Sequence, residues 1–227
     1  MAEFTHLHLH TEYSVLDGAS RISTLLEKAK TDGMNSVAIT DHGNMYGAID
    51  FHTKATKLKI KPIIGVETYV ARRGISQKST KEDNSGFHLI LLAKNKIGYN
   101  NLIKLVSTAN LDGFYYKPRV DKELLRKYKE GIIASSACLG GEVPQSIMNF
   151  GKEKAREKIL EYKEIFGEDF YLELMRHKSE VPGMDARVFE YQEQVNKTLI
   201  ELATELNIKY IATNDVHFVN EEDAAAH

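Results

Sequence analysis

The chain has 227 residues, of which 30 are basic and 32 acidic, so its formal net charge is −2. Because this charge is close to zero, binding of DNA by bulk attraction is excluded, and any nucleic-acid contact has to be local. No run approaches the roughly 18 apolar residues of a membrane span, and the N-terminus lacks the apolar core of a signal peptide. The single cysteine, Cys138, excludes an internal disulfide and indicates a reducing cytoplasm, where we expect the protein.

Short β-branched runs alternate with amphipathic runs along the chain, a pattern that is typical of the α/β fold class. Seven strands are predicted, at residues 4–9, 37–40, 62–70, 87–93, 132–136, 170–175 and 210–213. Helices are predicted at residues 21–30, 45–59, 97–110, 152–166 and 185–206. The polar, glycine-bounded stretch 72–86 is predicted to be a mobile surface loop. The final residues, EEDAAAH, resemble the opening of a further helix, so we expect residues 1–227 to be the front of a longer protein.

Two architectures fit these units, an open doubly wound sheet and a closed barrel. Most of the predicted strands are continuously apolar, as parallel strands buried on both faces are. No glycine-rich loop with dinucleotide-binding spacing follows an early strand, which weakens the open-sheet alternative. Polar residues follow the ends of several strands, as at His10, His42 and Asp215, and this distribution is typical of the catalytic mouth of a barrel.

The segment His6-Leu7-His8-Leu9-His10 is the strongest local sign of a metal site. In a strand, alternate residues point to the same side, so the three imidazoles are expected to share a face while the two leucines pack on the other. Neutral imidazoles suit a borderline metal such as zinc. The alternative is an ordinary solvated polar face.

Two further pairs combine a carboxylate with an imidazole at the end of a strand. Asp41 and His42 follow the strand at 37–40, where the alternative is a turn that caps the next helix. Asp215 and His217 stand two residues apart after the last strand. They offer hard and borderline ligands together, unless they form a polar turn.

Single polar residues in or after apolar strands complete the set of candidates. Glu67 interrupts the strand at 62–70, and a buried glutamate needs a metal or a basic side chain as its partner. Cys138 follows a strand, although a lone cysteine is more often a small buried side chain than a ligand. His88 lies near the start of its strand, which fits a C-terminal mouth poorly, and His52 is interpreted as a packed core histidine.

Together these residues offer more ligands than one tetrahedral metal ion uses. A multinuclear site accounts for the excess, because carboxylates such as Glu67 and Asp215 can bridge two ions. Separately, residues 113–119 (GFYYKPR) mix aromatic and basic side chains. This mixture, which includes Tyr115 to Arg119, favours either base stacking with phosphate binding or a turn with packed tyrosines.

Taken in chain order, the motifs HLHLHT, LDG, TDHGN, GVE, FH and NDVH resemble those of the polymerase and histidinol phosphatase (PHP) superfamily. The longer segments AITDHGNMYGAIDF, IKPIIGVETYVA, GYNNLIKLVS, GFYYKPRVD and ATNDVHFV resemble the N-terminal PHP domains of bacterial replicative DNA polymerase III alpha chains. The resemblance covers essentially the whole chain. It implies one domain over residues 1–227, a distorted seven-stranded (βα) barrel similar to a TIM barrel, and a trinuclear metal site.

Carried over position by position, the resemblance implies nine metal ligands. They are His8, His10, Asp17, His42, Glu67, His88, Cys138, Asp215 and His217. Without the resemblance, Asp17 is interpreted only as part of a turn. His6 stands where many relatives have aspartate, and it stays a candidate for the outer part of the site. The three ions are expected to be zinc, with manganese or iron as alternatives.

The resemblance leaves the function open, because the polymerase domains of this kind differ in activity. A complete ligand set favours a metal-dependent phosphoesterase that acts as a 3′–5′ exonuclease, with Glu67 and Asp215 as bridging carboxylates that help to activate water. The alternatives are a catalytically silent, metal-stabilised scaffold that docks a separate proofreading subunit, and a small-molecule phosphatase of the histidinol-phosphate type. The expected partners are a DNA 3′ end and the remaining polymerase domains of the same chain, without a membrane.

Overall fold

The structure is a computed structural model and describes residues 4–178 and 186–226. Within these ranges the strands are β1 Ser36–Ile39, β2 Lys61–Ala71, β3 Gly86–Ala93, β4 Arg119–Val120, β5 Ile132–Ser135, β6 Phe170–Leu174 and β7 Tyr210–Ala212. The α-helices of the same ranges are α1 Ile22–Thr31, α2 Ala48–Lys57, α3 Lys96–Leu111, α4 Lys122–Tyr128, α5 Glu142–Phe150, α6 Lys152–Phe166 and α7 Ala186–Leu206. Short 3₁₀ helices cover Lys81–Asn84, Gly167–Asp169 and Glu221–Ala226.

The described strands form one mixed sheet in the order β1-β2-β3-β5-β6-β7, with β4 beside the end of β2. The pairs β1–β2, β5–β6 and β6–β7 are parallel. The N-terminal segment closes the sheet, because His10 N donates to Val216 O at 2.7 Å while Thr40 N donates to Leu9 O at 2.8 Å. The molecule is therefore an α/β protein whose sheet curls into a distorted barrel.

The prediction of a regular strand at residues 4–9 is wrong. The backbone bends at Leu7 and His8, and only Leu9 of this segment forms an isolated bridge. The seventh described strand is instead β4, which pairs in parallel with the end of β2. Two residues are too few to show a period of alternating side chains, so the sequence pattern could not reveal β4.

Strand β3 runs antiparallel to both of its neighbours, β2 and β5, whereas the apolar pattern predicted parallel strands. The predicted loop at 72–86 holds no crossover α-helix but a single 3₁₀ turn. Asp83 in this turn is buried and accepts hydrogen bonds from Arg73 Nη2 at 2.6 Å and from Thr80 N at 2.9 Å. Adjacent strands without a crossover helix can run antiparallel. The start of β3 therefore lies at the edge where the parallel strands end.

The helices pack on the sheet through their apolar faces. In α6, whose predicted bounds agree with the structure, Ala155, Ile159, Tyr162 and Phe166 are buried at helical spacing. The larger core cluster joins helices α3 to α7 to the middle of the sheet, and a smaller cluster lies under α1 and α2. Among the described residues, no helix is long and apolar enough to cross a membrane.

Candidate metal centre

Glu67 lies at the centre of a cluster of imidazoles at the mouth of the barrel. It stands in β2 and is only 1% exposed. The distances from its carboxylate oxygens are 2.7 Å to His88 Nδ1, 2.8 Å to His42 Nδ1, 3.2 Å to His10 Nε2 and 3.6 Å to His8 Nε2. This buried glutamate therefore faces imidazoles rather than a lysine or an arginine.

Asp215 approaches two of the same imidazoles from the segment that follows β7. Its Oδ1 stands 3.0 Å from His8 Nε2 and 3.2 Å from His10 Nε2. Its φ of 46° lies in the left-handed region, which aspartate tolerates better than most residues do. His217 Nδ1 lies 2.9 Å from the Asp215 carbonyl oxygen, which can only accept. The Nε2 atom of the neutral His217 ring therefore carries the lone pair.

Asp17 enters the cluster from a turn. The backbone N–H groups of Asp17 and Gly18 both donate to Ser14 O. This turn brings Asp17 Oδ2 to 3.3 Å from His42 Nε2 and 3.9 Å from His217 Nε2. The interpretation as a turn is thus accurate but incomplete, because the turn also delivers a carboxylate to two imidazoles.

Cys138 follows β5 and faces β3. Its Sγ lies 3.6 Å from His88 Nδ1 and accepts a hydrogen bond from Gly140 N at 3.4 Å. Burial, with the carboxylates of Glu67 and Asp215 nearby, raises the pKa of the Cys138 thiol well above its usual value. The thiol is therefore protonated in the metal-free chain, and a metal ion would have to displace that proton.

His88 reaches the cluster because of the direction of β3. Its place near the start of a strand counted against it, since the mouth of a barrel lies at the ends of parallel strands. In an antiparallel strand the start, and not the end, lies at that mouth. The rule therefore holds for the parallel strands here but not for the antiparallel β3. The apolar pattern of the sequence does not reveal the direction of a strand.

Three groups of donor atoms in the described ranges could each hold a metal ion, with the atoms of each group within 4.8 Å of one another. They are His10–His42–His217, His8–His10–Glu67 and Glu67–His88–Cys138. Asp17 and Asp215 contact imidazoles of these groups. All nine side chains named by the family resemblance therefore lie in one continuous cluster.

Several buried nitrogen and oxygen atoms of this cluster, all of which could bind a metal ion, make no hydrogen bond of suitable geometry with the described residues. They are His8 Nε2, His10 Nε2, His42 Nδ1, both carboxylate oxygens of Glu67, and Asp215 Oδ1. Buried polar atoms without hydrogen bonds are rare, because nothing offsets the cost of removing them from water. Nitrogen and carboxylate donors that converge in this way fit divalent metal ions.

The charges of the metal-free cluster depend on one another. Burial lowers the pKa of His10, but the close carboxylates of Asp215 and Glu67, each 3.2 Å away, outweigh burial and raise this pKa to about 9. Burial also lowers the pKa of His8, and the nearby carboxylates, Asp215 first, outweigh it and raise the pKa. The pKa of Glu67 is raised by burial but held well below its usual range by His88 and His8. Protonated imidazoles therefore balance the buried carboxylates.

A second buried glutamate, Glu173 in β6, supports His8 from behind. Its Oε1 stands 2.7 Å from His8 Nδ1, and its oxygens accept hydrogen bonds from Ser135 Oγ and Thr213 Oγ1. A carboxylate on the far ring nitrogen orients an imidazole and makes it a stronger ligand. Glu173 was not among the predicted site residues, although it interrupts the apolar segment FYLEL in the way that Glu67 interrupts its own strand.

Asp41 supports His10 through a hydroxyl group. Ser14 Oγ donates to Asp41 Oδ1 at 2.8 Å and lies 3.0 Å from His10 Nδ1. Because the Ser14 proton is directed to Asp41, the serine oxygen accepts from the imidazole, and His10 Nε2 is left facing the carboxylates. Thr11 also donates to Asp41, through its N at 2.7 Å and its Oγ1 at 2.8 Å. Asp41 therefore braces the site rather than capping the next helix.

Three other histidines of the described ranges do not belong to the cluster. The expectation that His6 shares a face with His8 is wrong, because the backbone bends between them and His6 lines a separate cavity of about 190 Å³. His52 is exposed on α2, so its interpretation as a core residue is also wrong. His177 is exposed. His227 lies outside the described residues.

The sequence pattern of the PHP domain family matches residues 6–177, which is more than half of the chain. The chain belongs to the PHP family. Curated relatives of this PHP chain include DNA polymerase III subunit alpha of Borreliella burgdorferi, 48% identical over 99% of this chain and 19% of the relative. DNA polymerase III subunit alpha of Thermus aquaticus is 44% identical over 99% of this chain and 18% of the relative. The chain thus spans about a fifth of the length of these relatives.

Solved structures share the fold of this PHP chain at low sequence identity. A protein from Bifidobacterium adolescentis, proposed to be a metal-dependent phosphoesterase, has a TM-score of 0.57 at 16% identity, over 96% of this chain and 88% of the other. An amidohydrolase from Chromobacterium violaceum has a TM-score of 0.61 at 14% identity, over 96% of this chain and 89% of the other. At these identities the likeness shows the fold alone.

Proposed function

We propose that the chain is the PHP domain of a bacterial replicative DNA polymerase and that it hydrolyses phosphodiester bonds at a DNA 3′ end. The observation that carries this proposal is the cluster around Glu67, in which buried donor atoms converge without hydrogen bonds. The relatives of 43 to 48% identity support the polymerase context. The cytoplasm is the corresponding location, and polymerisation requires other domains.

The three donor groups could hold three divalent ions, with Glu67 shared between two groups and His10 between two. Zinc suits the imidazole and thiol donors, and manganese or iron suits the carboxylates. Such ions would polarise a phosphodiester, lower the pKa of a water molecule and stabilise the leaving oxygen.

Burial distinguishes the residues that hold fixed positions in the site from those that a substrate can reach. His8 and His10 are fully buried and braced by Glu173 and Ser14, so they hold fixed positions at the bottom of the site. Asp17 is more accessible, with 36% of its side chain exposed. A substrate therefore enters past this carboxylate, on the open side of the cluster.

The test is the release of labelled nucleotide from a single-stranded oligonucleotide that carries its label at the 3′ end. We expect the chain, loaded with zinc or manganese, to release the label in a chelator-sensitive reaction. Glu67→Gln should slow the release by at least about 100-fold. Loss of a residue that only supports a metal ligand already costs up to about 100-fold, and Glu67 is proposed as a ligand itself. Glu164→Gln is the matched control, because Glu164 is exposed on α6.

Three outcomes would contradict the proposal. Full activity of Glu67→Gln would remove Glu67 from the reaction. Metal-loaded chain without any release would favour the scaffold that docks a separate proofreading subunit. Turnover of phosphomonoesters without turnover of DNA would favour a small-molecule phosphatase.

A further inference from the structure

The loop between α3 and β4 lies directly against the candidate metal centre. Residues 114–117 of this loop, of which Phe114 and Tyr116 are exposed, are called here the aromatic-basic loop. Pro118 at its end packs on Gly43, the residue after His42, so closely that a Cβ atom at Gly43 would stand 2.5 Å from Pro118 Cγ. Asn110 of α3 adds a hydrogen bond to Gly43 O at 3.4 Å. The loop is therefore seated on the turn that carries one of the nine clustered side chains.

A cation of this loop lies one aromatic ring away from the cluster. Lys117 Nζ stands 5.3 Å from the centre of the Tyr69 ring. Tyr69 in turn stacks on His42 at 5.8 Å and meets His88 edge-on at 5.3 Å. Among the described residues, Lys117 forms no ion pair with a carboxylate. Its positive charge is thus available to a phosphate group that reaches the mouth of the barrel.

Tyr116 is displayed at the tip of the loop in a costly backbone conformation. Its φ is 60°, in the left-handed region that bulky side chains rarely adopt, and the residue is 68% exposed. Such strain persists where surrounding structure holds it, and it concentrates at functional sites. Here the loop is closed by a hydrogen bond from Tyr115 N to Lys117 O at 3.1 Å.

Arg119 anchors the loop from inside the protein. This arginine is fully buried, and its guanidinium group donates to the carbonyl oxygens of Gly113, Gln77 and Ile75, each at 3.0 Å. Because its three carbonyl partners lie in two loops, Gly113 in the α3–β4 loop and the other two in the β2–β3 loop, the buried guanidinium holds these loops together. The exposed ring of Tyr116 is therefore presented on a rigid support.

We propose that the aromatic-basic loop binds the unpaired nucleotides at the 3′ end of single-stranded DNA. Tyr116 stacks on a base, and Lys117 contacts a phosphate near the bond to be cleaved. Stacking on an exposed ring needs a base that is free of its partner strand, so the loop selects single-stranded over paired ends. This inference rests on the proposed function, because it names how that substrate is held.

The test compares two oligonucleotides of the same length, one of thymidines and one with abasic sugars at its three final positions. Both carry phosphorothioate links at the 3′ end, and binding is measured by fluorescence anisotropy with zinc-loaded chain. Tyr116→Asn should weaken binding of the thymidine oligonucleotide about tenfold, within the range of one base stack. It should leave binding of the abasic oligonucleotide unchanged. Asparagine tolerates the left-handed backbone, so the loop is preserved.

Three further variants and a measurement of metal content accompany this comparison. Tyr116→Phe keeps the ring and should bind as the wild type does. Tyr210→Asn removes an exposed tyrosine at the start of β7, the end of that parallel strand opposite the mouth, and should also bind normally. Lys117→Gln should weaken binding of both oligonucleotides equally and reduce the slope of log affinity against log salt by roughly 0.7. The metal content of Tyr116→Asn should equal that of the wild type.

Equal binding of the thymidine oligonucleotide by Tyr116→Asn and the wild type would overturn the inference. Equal weakening of both oligonucleotides by Tyr116→Asn would also overturn it, since the effect would then not depend on a base. The proposed function fails separately, through absence of nucleotide release, because the binding measurement needs no turnover.

Discussion

Two buried glutamates, Glu67 and Glu173, organise the candidate metal centre. Each interrupts an apolar strand, and a charged side chain at such a position needs a partner. Glu67 could be predicted from the sequence because a metal was one of the possible partners. Glu173 could not be assigned, since its partner, His8, is 165 residues away along the chain. Contacts of this range depend on how the strands are ordered, which the local pattern does not contain.

Glu173 should act on metal binding through His8 rather than as a ligand. We expect Glu173→Gln to lower metal affinity about 10- to 100-fold, because the imidazole loses the negative charge behind it. Competition with a fluorescent chelator measures this affinity. Glu164→Gln, on the outer surface of α6, should bind metal as the wild type does. Unchanged affinity in a folded Glu173→Gln variant would contradict this positioning role.

Protons occupy the imidazoles of His8 and His10 in the metal-free site, because burial is outweighed by the nearby carboxylates, which raise the pKa of both residues. The pKa of His10 is raised to about 9, above the value of roughly 6.5 in an unfolded chain. A raised pKa stabilises the metal-free fold fully below about pH 6.5, and this contribution is lost as the pH rises towards 9. Metal ions must displace the same protons, so the apparent metal affinity should increase with pH over this window.

At the scale of elements, strand direction decides what reaches the site. The alternation of apolar runs predicted most of the strands and helices, including α6 with its observed bounds. It did not predict that β3 runs antiparallel, so it placed His88 at the wrong end of the barrel. It also predicted a regular strand at residues 4–9, where a bend separates His6 from His8. Direction and bends arise from packing between distant segments, which leaves no periodic signal.

The turn after β1 gives a testable case of local packing. Gly43 has φ +63° and faces Pro118 at the distance given above, whereas Gly33 has φ +78° and no atom within 4 Å of the position that a Cβ would take. Gly33→Ala should cost about 1 kcal/mol through the left-handed conformation alone. Gly43→Ala should cost about 1–3 kcal/mol more, because the added methyl group overpacks against the proline.

Urea unfolding of the metal-free chain compares these two glycine variants. The conformational penalty is common to both, so the difference between them isolates the contact between Gly43 and Pro118. Equal free energies of unfolding for the two variants would contradict the close packing of the aromatic-basic loop on this turn.

At the scale of the whole molecule, a curled sheet gathers side chains from distant parts of the sequence into one mouth. The α/β class followed from the alternation of strands and helices, and the barrel from polar residues at several strand ends. The near-zero net charge would limit any DNA contact to local features, and the aromatic-basic loop is the feature that we propose. The full set of nine clustered side chains was predicted only through the family resemblance. The spacing of residues alone identified Asp17 as part of a turn and not as a metal ligand.

A calorimetric titration of the metal-free chain with zinc at pH 7 tests the central claim most directly. The chain should bind three ions, and binding should release protons from the imidazoles and the Cys138 thiol, seen as a dependence of the heat on the buffer. Binding of one ion or none, or uptake without proton release, would contradict a multinuclear site built around Glu67.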